Sequence, residues 1–563
     1  MRFSTPWPPA APRMIRLIGC MAALCLLAGA CGNEPGNQNA GFSSKSLTTE
    51  SGLKEAGRPV RGGRIVYGLE AETTGGFCLP EAELAPSGNL IRMAIYDSLT
   101  AINKNSEAKP YLARSVVPDS TYTRWTIVIR DGIKFHDGST LDATVVKNNL
   151  DAFLGNYPPR TPDLFPIVLA NIDTVKVKDP VTIEVTTKVP WIAFPSYLAT
   201  LGIMGQAQLD DEENCDENMI GTGPFKLAEW IPNQKLLAQR NADYWQIAPD
   251  GERYPYADAI EFRPISDTQQ RINAIESGEV NAMATSEPQD IHGTLTAMAE
   301  SGDINFLVAN DHSEVGYLML NSGIPPFNDE RMRRAVAQGI DRDAYNGIIN
   351  GGFSKIADQP FPPGDSGYIE DPGFPKHDVE AAKALVKDYM ADGNSSEFTI
   401  SAASEPTVLA RAEVIQSQMR MLGIAVKIHS VDEATLINEA IGGSFQANVW
   451  SQHAGGEPDA QYIWWHGPPN PTNFARIEDP EIDRALEEGR IETDPQRRRE
   501  IYEGISRRFA EKVWNIWLSY TEWGIALAPK VHGVLNTELP DGGGPVFTGV
   551  AGGHPTHGMW IGN

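Results

Sequence analysis

The 563-residue chain carries 73 acidic against 47 basic side chains, a formal net charge of −26, with 41% hydrophobic residues. So acidic a surface argues against nucleic-acid binding, because phosphate contact is driven by Lys and Arg. The length exceeds what a single hydrophobic core supports and implies two or more lobes.

The N-terminus reads as a targeting segment. Arg2, Arg13 and Arg16 form a basic region, and residues 17–30 are uncharged. That run is shorter than the roughly 20 residues of a membrane-spanning helix and suits the apolar region of a signal peptide over residues 1–30. It ends in Ala28-Gly29-Ala30-Cys31, which resembles a bacterial lipobox in which Cys31 takes the lipid and becomes the first mature residue. Ala28 departs from the pattern, which prefers Leu there. Leu17-Ile18-Gly19-Cys20 fits the bare pattern better, but only Met14 and Ile15 precede it as apolar residues. An ordinary cleaved signal with a fully secreted product is the alternative. Residues 31–60 are rich in Gly, Asn, Ser, Thr and Glu and read as a flexible tether. Cys20 and Cys25 leave with the signal, so Cys78 and Cys215 remain as an even pair in a compartment where disulfides persist. They are expected to bond, against the alternative of two separate thiols.

The body opens with Arg64-Ile65-Val66-Tyr67-Gly68-Leu69, a strand by its β-branched and aromatic content. Trp125, Ile127 and Ile129 alternate with polar neighbours as a half-buried strand, and Asp179-Pro180 marks the tip of a hairpin. After residue 310 the pattern turns helical. Met332, Ala335, Val336, Gly339 and Ile340 share a helical face behind a cap at Asn328 or Asp329, with the arginines around Arg331 on the solvent side. Phe398 and Ile400, then a helical stripe from Val408 to Leu422, then Ile424 to Ile428 predict a βαβ unit and hence parallel sheet. Asp479-Pro480 and Asp494-Pro495 open two further helices, and residues 514–520 alternate as a strand.

Four segments in chain order carry a family resemblance. They are Ile95-Tyr96-Asp97-Ser98-Leu99-Thr100, the run from Ile129 to Gly138 (IRDGIKFHDG), Gly221-Thr222-Gly223-Pro224-Phe225 with Asn241 to Trp245, and Phe327 to Arg342. Together they resemble the extracellular solute-binding proteins, family 5, of ABC importers in the oligopeptide, dipeptide and nickel class. The resemblance implies an α/β, two-lobe periplasmic-binding-protein-like fold (class II, cluster C type) with an extra subdomain in the first lobe. It places lobe one at residues 61–309 with a subdomain at about 106–220, lobe two at 310–520, and a return to lobe one over 521–563. It further implies a protein that is not an enzyme and uses no cofactor or metal. Such a protein works as a monomer, captures a small ligand, a peptide first of all, and delivers it to an ABC permease in the same membrane by hinge closure. A non-peptide aromatic, amphiphilic or metal-chelate solute, a non-transporting sensor, and last a secreted hydrolase are the alternatives.

The candidate ligand residues follow from the same resemblance. Glu70 and Phe77, after the first strand, are placed at the cleft lip. The stretch from Val449 to Phe474 carries three tryptophans, with Trp450 open to stacking. The Asp that pairs with a peptide's amino group falls at His453, with Glu457 or Asp459 as substitutes. The Arg for a ligand carboxylate falls near Leu409 or Ala410, with Arg411 next door. Trp464 and Trp465 read as core. Gly364-Asp365-Ser366-Gly367 looks like a protease nucleophile segment but lies in an irregular loop, and His554 and His557 read as turn chemistry rather than a metal site.

Overall fold

The computed structural model describes residues 50–51 and 57–562, apart from 74, 83, 310, 311, 453–455 and 536. Three sheets organise the molecule. An eight-stranded mixed sheet runs in the order Glu50–Ser51, Asn305–Ala309, Trp523–Leu527, Ala282–Thr285, Arg64–Leu69, Ala259–Pro264, Lys235–Arg240, Phe225–Ile231. A five-stranded sheet follows the order Val426–Val431, Phe398–Ala403, Ala447–Gln452, Val315–Leu320, Asn515–Tyr520. A four-stranded antiparallel sheet is built from Ala113–Pro118, Arg124–Ile129, Thr182–Thr187 and Ile172–Asp179.

The two largest hydrophobic cores match this division. The first unites the eight-stranded sheet with the four-stranded subdomain, from Tyr67 and Ile260 through Trp125, Ile183 and Leu198 to Ile525. The second belongs to the five-stranded sheet and its helices, among them Val336, Ile415, Leu486 and Trp517. The chain passes between the sheets twice, from Asn305–Ala309 to Val315–Leu320 and from Asn515–Tyr520 to Trp523–Leu527. Two neighbouring crossings of this kind give a two-lobe fold with a hinge-like connection.

The family segments have physical reasons in the fold. Gly221 and Gly223 lie against the backbone of Ile95, where a Cβ on Gly221 would come within 2.0 Å of the Ile95 carbonyl oxygen. Only glycine permits that approach. Asp97 is buried and accepts hydrogen bonds from Thr222 Oγ1 and Trp245 Nε1, each at 2.9 Å, so two of the segments meet on one carboxylate. Asp479 and Asp494 cap their helices by accepting from the Glu481 and Arg497 amides, as their Asp-Pro pairs predict.

One expectation fails. Arg333 is not on the solvent face: it is 3% exposed, donates to the Phe327 and Lys512 carbonyls, and stacks over Trp514 at 4.3 Å. Its charge is satisfied by carbonyls, which a periodicity argument cannot see. The expected tether also contains a pairing: Glu50–Ser51 adds antiparallel to Phe306 and Leu307. An open sheet edge offers unpaired amides and carbonyls to any nearby extended segment.

Candidate functional site

In lobe one, Arg64–Leu69 and Ala282–Thr285 are parallel neighbours. Their C-terminal ends deliver Glu70 and Ser286-Glu287 to the same edge of the sheet, the position where open α/β sheets bind ligands. Glu70 is held there by the Ser286 amide at 2.8 Å and by Arg271 Nη2 at 3.1 Å. In lobe two, Phe398–Ala403 pairs in parallel with both its neighbours and leads into helix Pro406–Met421. The first turns of that helix, with Thr407, Ala410 and Arg411, face the lobe-one edge across a cavity of ≈450 Å³. Glu287 and Pro288 line one side, and helix Arg342–Ile349 closes it with Ile348 and Ile349.

The electrostatics of this cavity are asymmetric. Arg411 senses the fields of Glu287, Glu314 and Tyr345 from several directions, and no hydrogen bond or close ion pair holds it among the described residues. Burial, reinforced by Glu70, pushes the Glu287 carboxyl above the usual carboxylate range. Burial pushes Glu314, on the first crossing, up to about 7. Lobe two thus supplies Arg411, with no close partner among the described residues, together with Glu413, and lobe one supplies Glu287, with Glu70 beside it already paired with Arg271.

The predicted ligand residues are dispersed. Glu70 lies beside the cavity's acidic wall. Phe77 is fully buried against Trp230, with ring centroids 5.6 Å apart, and is a core residue rather than a cleft residue. Trp450 is half-buried and lines a separate, smaller cavity inside lobe two with Tyr317, Trp464 and Phe474. His453 lies outside the described residues, as does Cys31. Glu457 faces Arg498 and accepts from the Asp459 amide at 2.9 Å, so its charge is spent within lobe two. Asp459 is not open to a ligand either: it is completely buried, and Trp191, Tyr197 and Arg490 occupy its carboxylate. With three donors on Oδ2 and one on Oδ1 in a fully buried setting, its carboxylate is committed to protein donors.

Cys78 and Cys215 are joined by a disulfide that spans 137 residues, with the Arg160 guanidinium donating to Cys78 Sγ at 2.7 Å. His554 and His557 are buried; His554 Nε2 lies 3.1 Å from the Tyr67 hydroxyl, and His557 packs on Tyr254. Of the protease-like segment it is Asp365, not Ser366, that is engaged. Its carboxylate meets His312 Nδ1, while His312 Nε2 lies 2.9 Å from Ser106 Oγ. The connectivity is that of a hydrolase triad, but Gly456 sits over Ser106 so closely that a Cβ there would come within 2.7 Å of Oγ. The chain of contacts runs from Ser106 of lobe one through His312 to Asp365 of lobe two and joins the lobes.

A family model for bacterial extracellular solute-binding proteins, family 5, matches residues 107–474, well over half of the chain. The chain belongs to this family. The glutathione-binding protein GsiB of Salmonella paratyphi A is 26% identical over 429 residues, which cover 73% of this chain and 80% of GsiB. Among solved structures, AgaA of A. tumefaciens R10 in complex with agropinic acid aligns with a TM-score of 0.77 at 24% identity, covering 89% of this chain and 99% of AgaA. The oligopeptide-binding protein AppA of Bacillus subtilis, in complex with a nonapeptide, gives 0.75 at 21%, covering 90% of this chain and all of AppA. These relatives are binding proteins, and the two-lobe fold is common to them. Among the described residues no helix is long and apolar enough to cross a membrane.

Proposed function

We propose that this family 5 protein captures a zwitterionic solute, foremost a peptide, in the cavity between its lobes and delivers it to an ABC importer. The observation that carries the reading is Arg411. It is a guanidinium near the start of helix Pro406–Met421 with no close partner among the described residues, and it lines the same cavity as the Glu287 carboxylate of lobe one. A ligand with a carboxylate at one end and an amine at the other satisfies both walls at once, with charge-assisted bonds at each. Rotation about the two sheet crossings would close the lobes over it, and water exclusion would strengthen both contacts.

Peptides lead because GsiB is named for glutathione and AppA was seen with a nonapeptide. An opine such as the agropinic acid bound by AgaA is the second reading, since one cationic anchor suits a ligand with a single dominant anionic group. The signal peptide, the lipid on Cys31 and the extracytoplasmic tether complete the proposal, because an anchored receptor meets its permease in the same membrane. A thermal-shift screen of dipeptides, longer peptides, glutathione and opines tests it. A rise in Tm with peptides supports the first reading, a rise with opines alone selects the second, and none with any of them contradicts the capture site.

A further inference from the structure

The carboxylate of Asp459 ties the two lobes together. It lies in a short helical turn of lobe two, Pro458–Gln461, and pairs with Arg490 of helix Pro480–Ile491, whose Nε donates to Oδ1 at 2.9 Å and Nη2 to Oδ2 at 3.2 Å. Its other two donors come from lobe one. Trp191 Nε1 donates to Oδ2 at 2.8 Å, and the Tyr197 hydroxyl lies 3.0 Å from both Oδ2 and the Asp459 carbonyl. The Ile192 amide donates to the Arg490 carbonyl, and the Arg490 guanidinium lies between the Trp191 and Tyr462 rings. Asp459 and Trp191 are 0% exposed, Tyr197 6% and Arg490 7%, so the network is dry.

The two halves of this network sit on different cores. Trp191, Phe194, Tyr197 and Leu198 belong to the hydrophobic core shared with Tyr67 and Ile525 of the eight-stranded sheet, so the subdomain travels with lobe one. Ile482 and Leu486 of the Arg490 helix belong to the lobe-two core. Rotating one lobe from the other therefore strips two donors from a carboxylate that stays paired with Arg490. A buried anion left short of donors is costly until water reaches it.

We propose that Asp459 and Arg490, gripped by Trp191 and Tyr197, form a latch that holds the lobes together and sets the closure equilibrium of the capture cavity. The inference rests on the capture reading above, but it concerns a contact that no ligand need touch. The latch adds a ligand-independent term to closure: each donor lost should shift the open-to-closed ratio by about tenfold.

The test is a distance measurement on the full chain without added ligand. Spin labels go on cysteines replacing exposed Lys176 of the subdomain and exposed Lys387 of lobe two, and pulsed electron resonance reads their separation. Trp191→Phe and Tyr197→Phe each remove one donor and keep the ring in its core, and circular dichroism with size exclusion verifies the fold. The expected result is a short-distance population in the wild type that declines in each single variant and gives way to longer distances in the double variant. A double variant with the wild-type distribution, or a wild type already at long distances, overturns the latch. If the double variant does not fold, Tyr197→Phe alone decides by the same criterion. Because no ligand is present, failure of the capture reading leaves this result unchanged.

Discussion

Arg411 and Glu287 line the same interlobe cavity from opposite lobes, and the guanidinium has no partner of its own there among the described residues. A cation without a close partner, set across a cavity from a buried carboxylate, is poorly arranged for stability and well arranged for a ligand. Arg411→Ala should therefore lower the affinity for carboxylate-bearing ligands at least about tenfold while leaving stability within about 0.5 kcal/mol. Calorimetric titration with the best ligand of the screen, beside a thermal melt, separates the two effects. A loss of stability without loss of affinity would make Arg411 structural.

Burial lowers His557 to about 4, below its ordinary value near 6.5, and raises Asp97 to about 6. The signs are opposite. Stability tied to a neutral His557 is complete above pH 6.5 and is lost as pH falls towards 4. The Asp97 contribution is greatest below its unfolded pKa near 4 and is lost as pH rises to 6, each amounting to about 3 kcal/mol at most. Melts from pH 4 to 7 should show His557→Phe gaining on the wild type as pH falls, and Asp97→Asn falling further behind it. Parallel curves for all three proteins would contradict both assignments.

Much of this fold is legible in the sequence because it is local. The Asp-Pro caps at Asp479 and Asp494, the alternation of Trp125, Ile127 and Ile129, and the close-approach glycines at 221 and 223 state their structural reasons within a few residues. The site is different. Glu70, Glu287 and Arg411 come from three distant segments; the sheet order brings the first two together, and only the packing of the two lobes sets Arg411 across the cavity from them. Arg411 lay one or two residues from the aligned position, so the signal was present, but nothing in the sequence shows that it is unpaired. Asp459 fails as a ligand residue for the same reason: its partners Trp191 and Tyr197 lie more than 250 residues away. Phe77 and Arg333 are misplaced because burial of a single side chain is set by tertiary neighbours.

The Cys78–Cys215 bridge closes a long loop, with both sulfurs buried away from the interlobe cavity. Reduction, or Cys78→Ser with Cys215→Ser, should cost about 2–5 kcal/mol of stability and spare ligand affinity at temperatures where the fold survives. Denaturant unfolding with and without reductant, paired with titration, reads both. Unchanged unfolding on full reduction would mean that the bridge contributes nothing.

Membrane attachment is proposed to rest on Cys31, which lies outside the described residues. Cys31→Ala should move the protein from the membrane to the soluble fraction of its host, read by fractionation and by mass spectrometry of the mature N-terminus. Continued membrane association would contradict the lipid assignment.

The most direct test is native mass spectrometry of the wild type and Arg411→Ala after both are incubated with a tryptic digest of casein and desalted. Capture of a peptide between the lobes predicts discrete peptide masses on the wild type and their loss from the variant. Equal loading of the two proteins, or no adduct on the wild type, would contradict it.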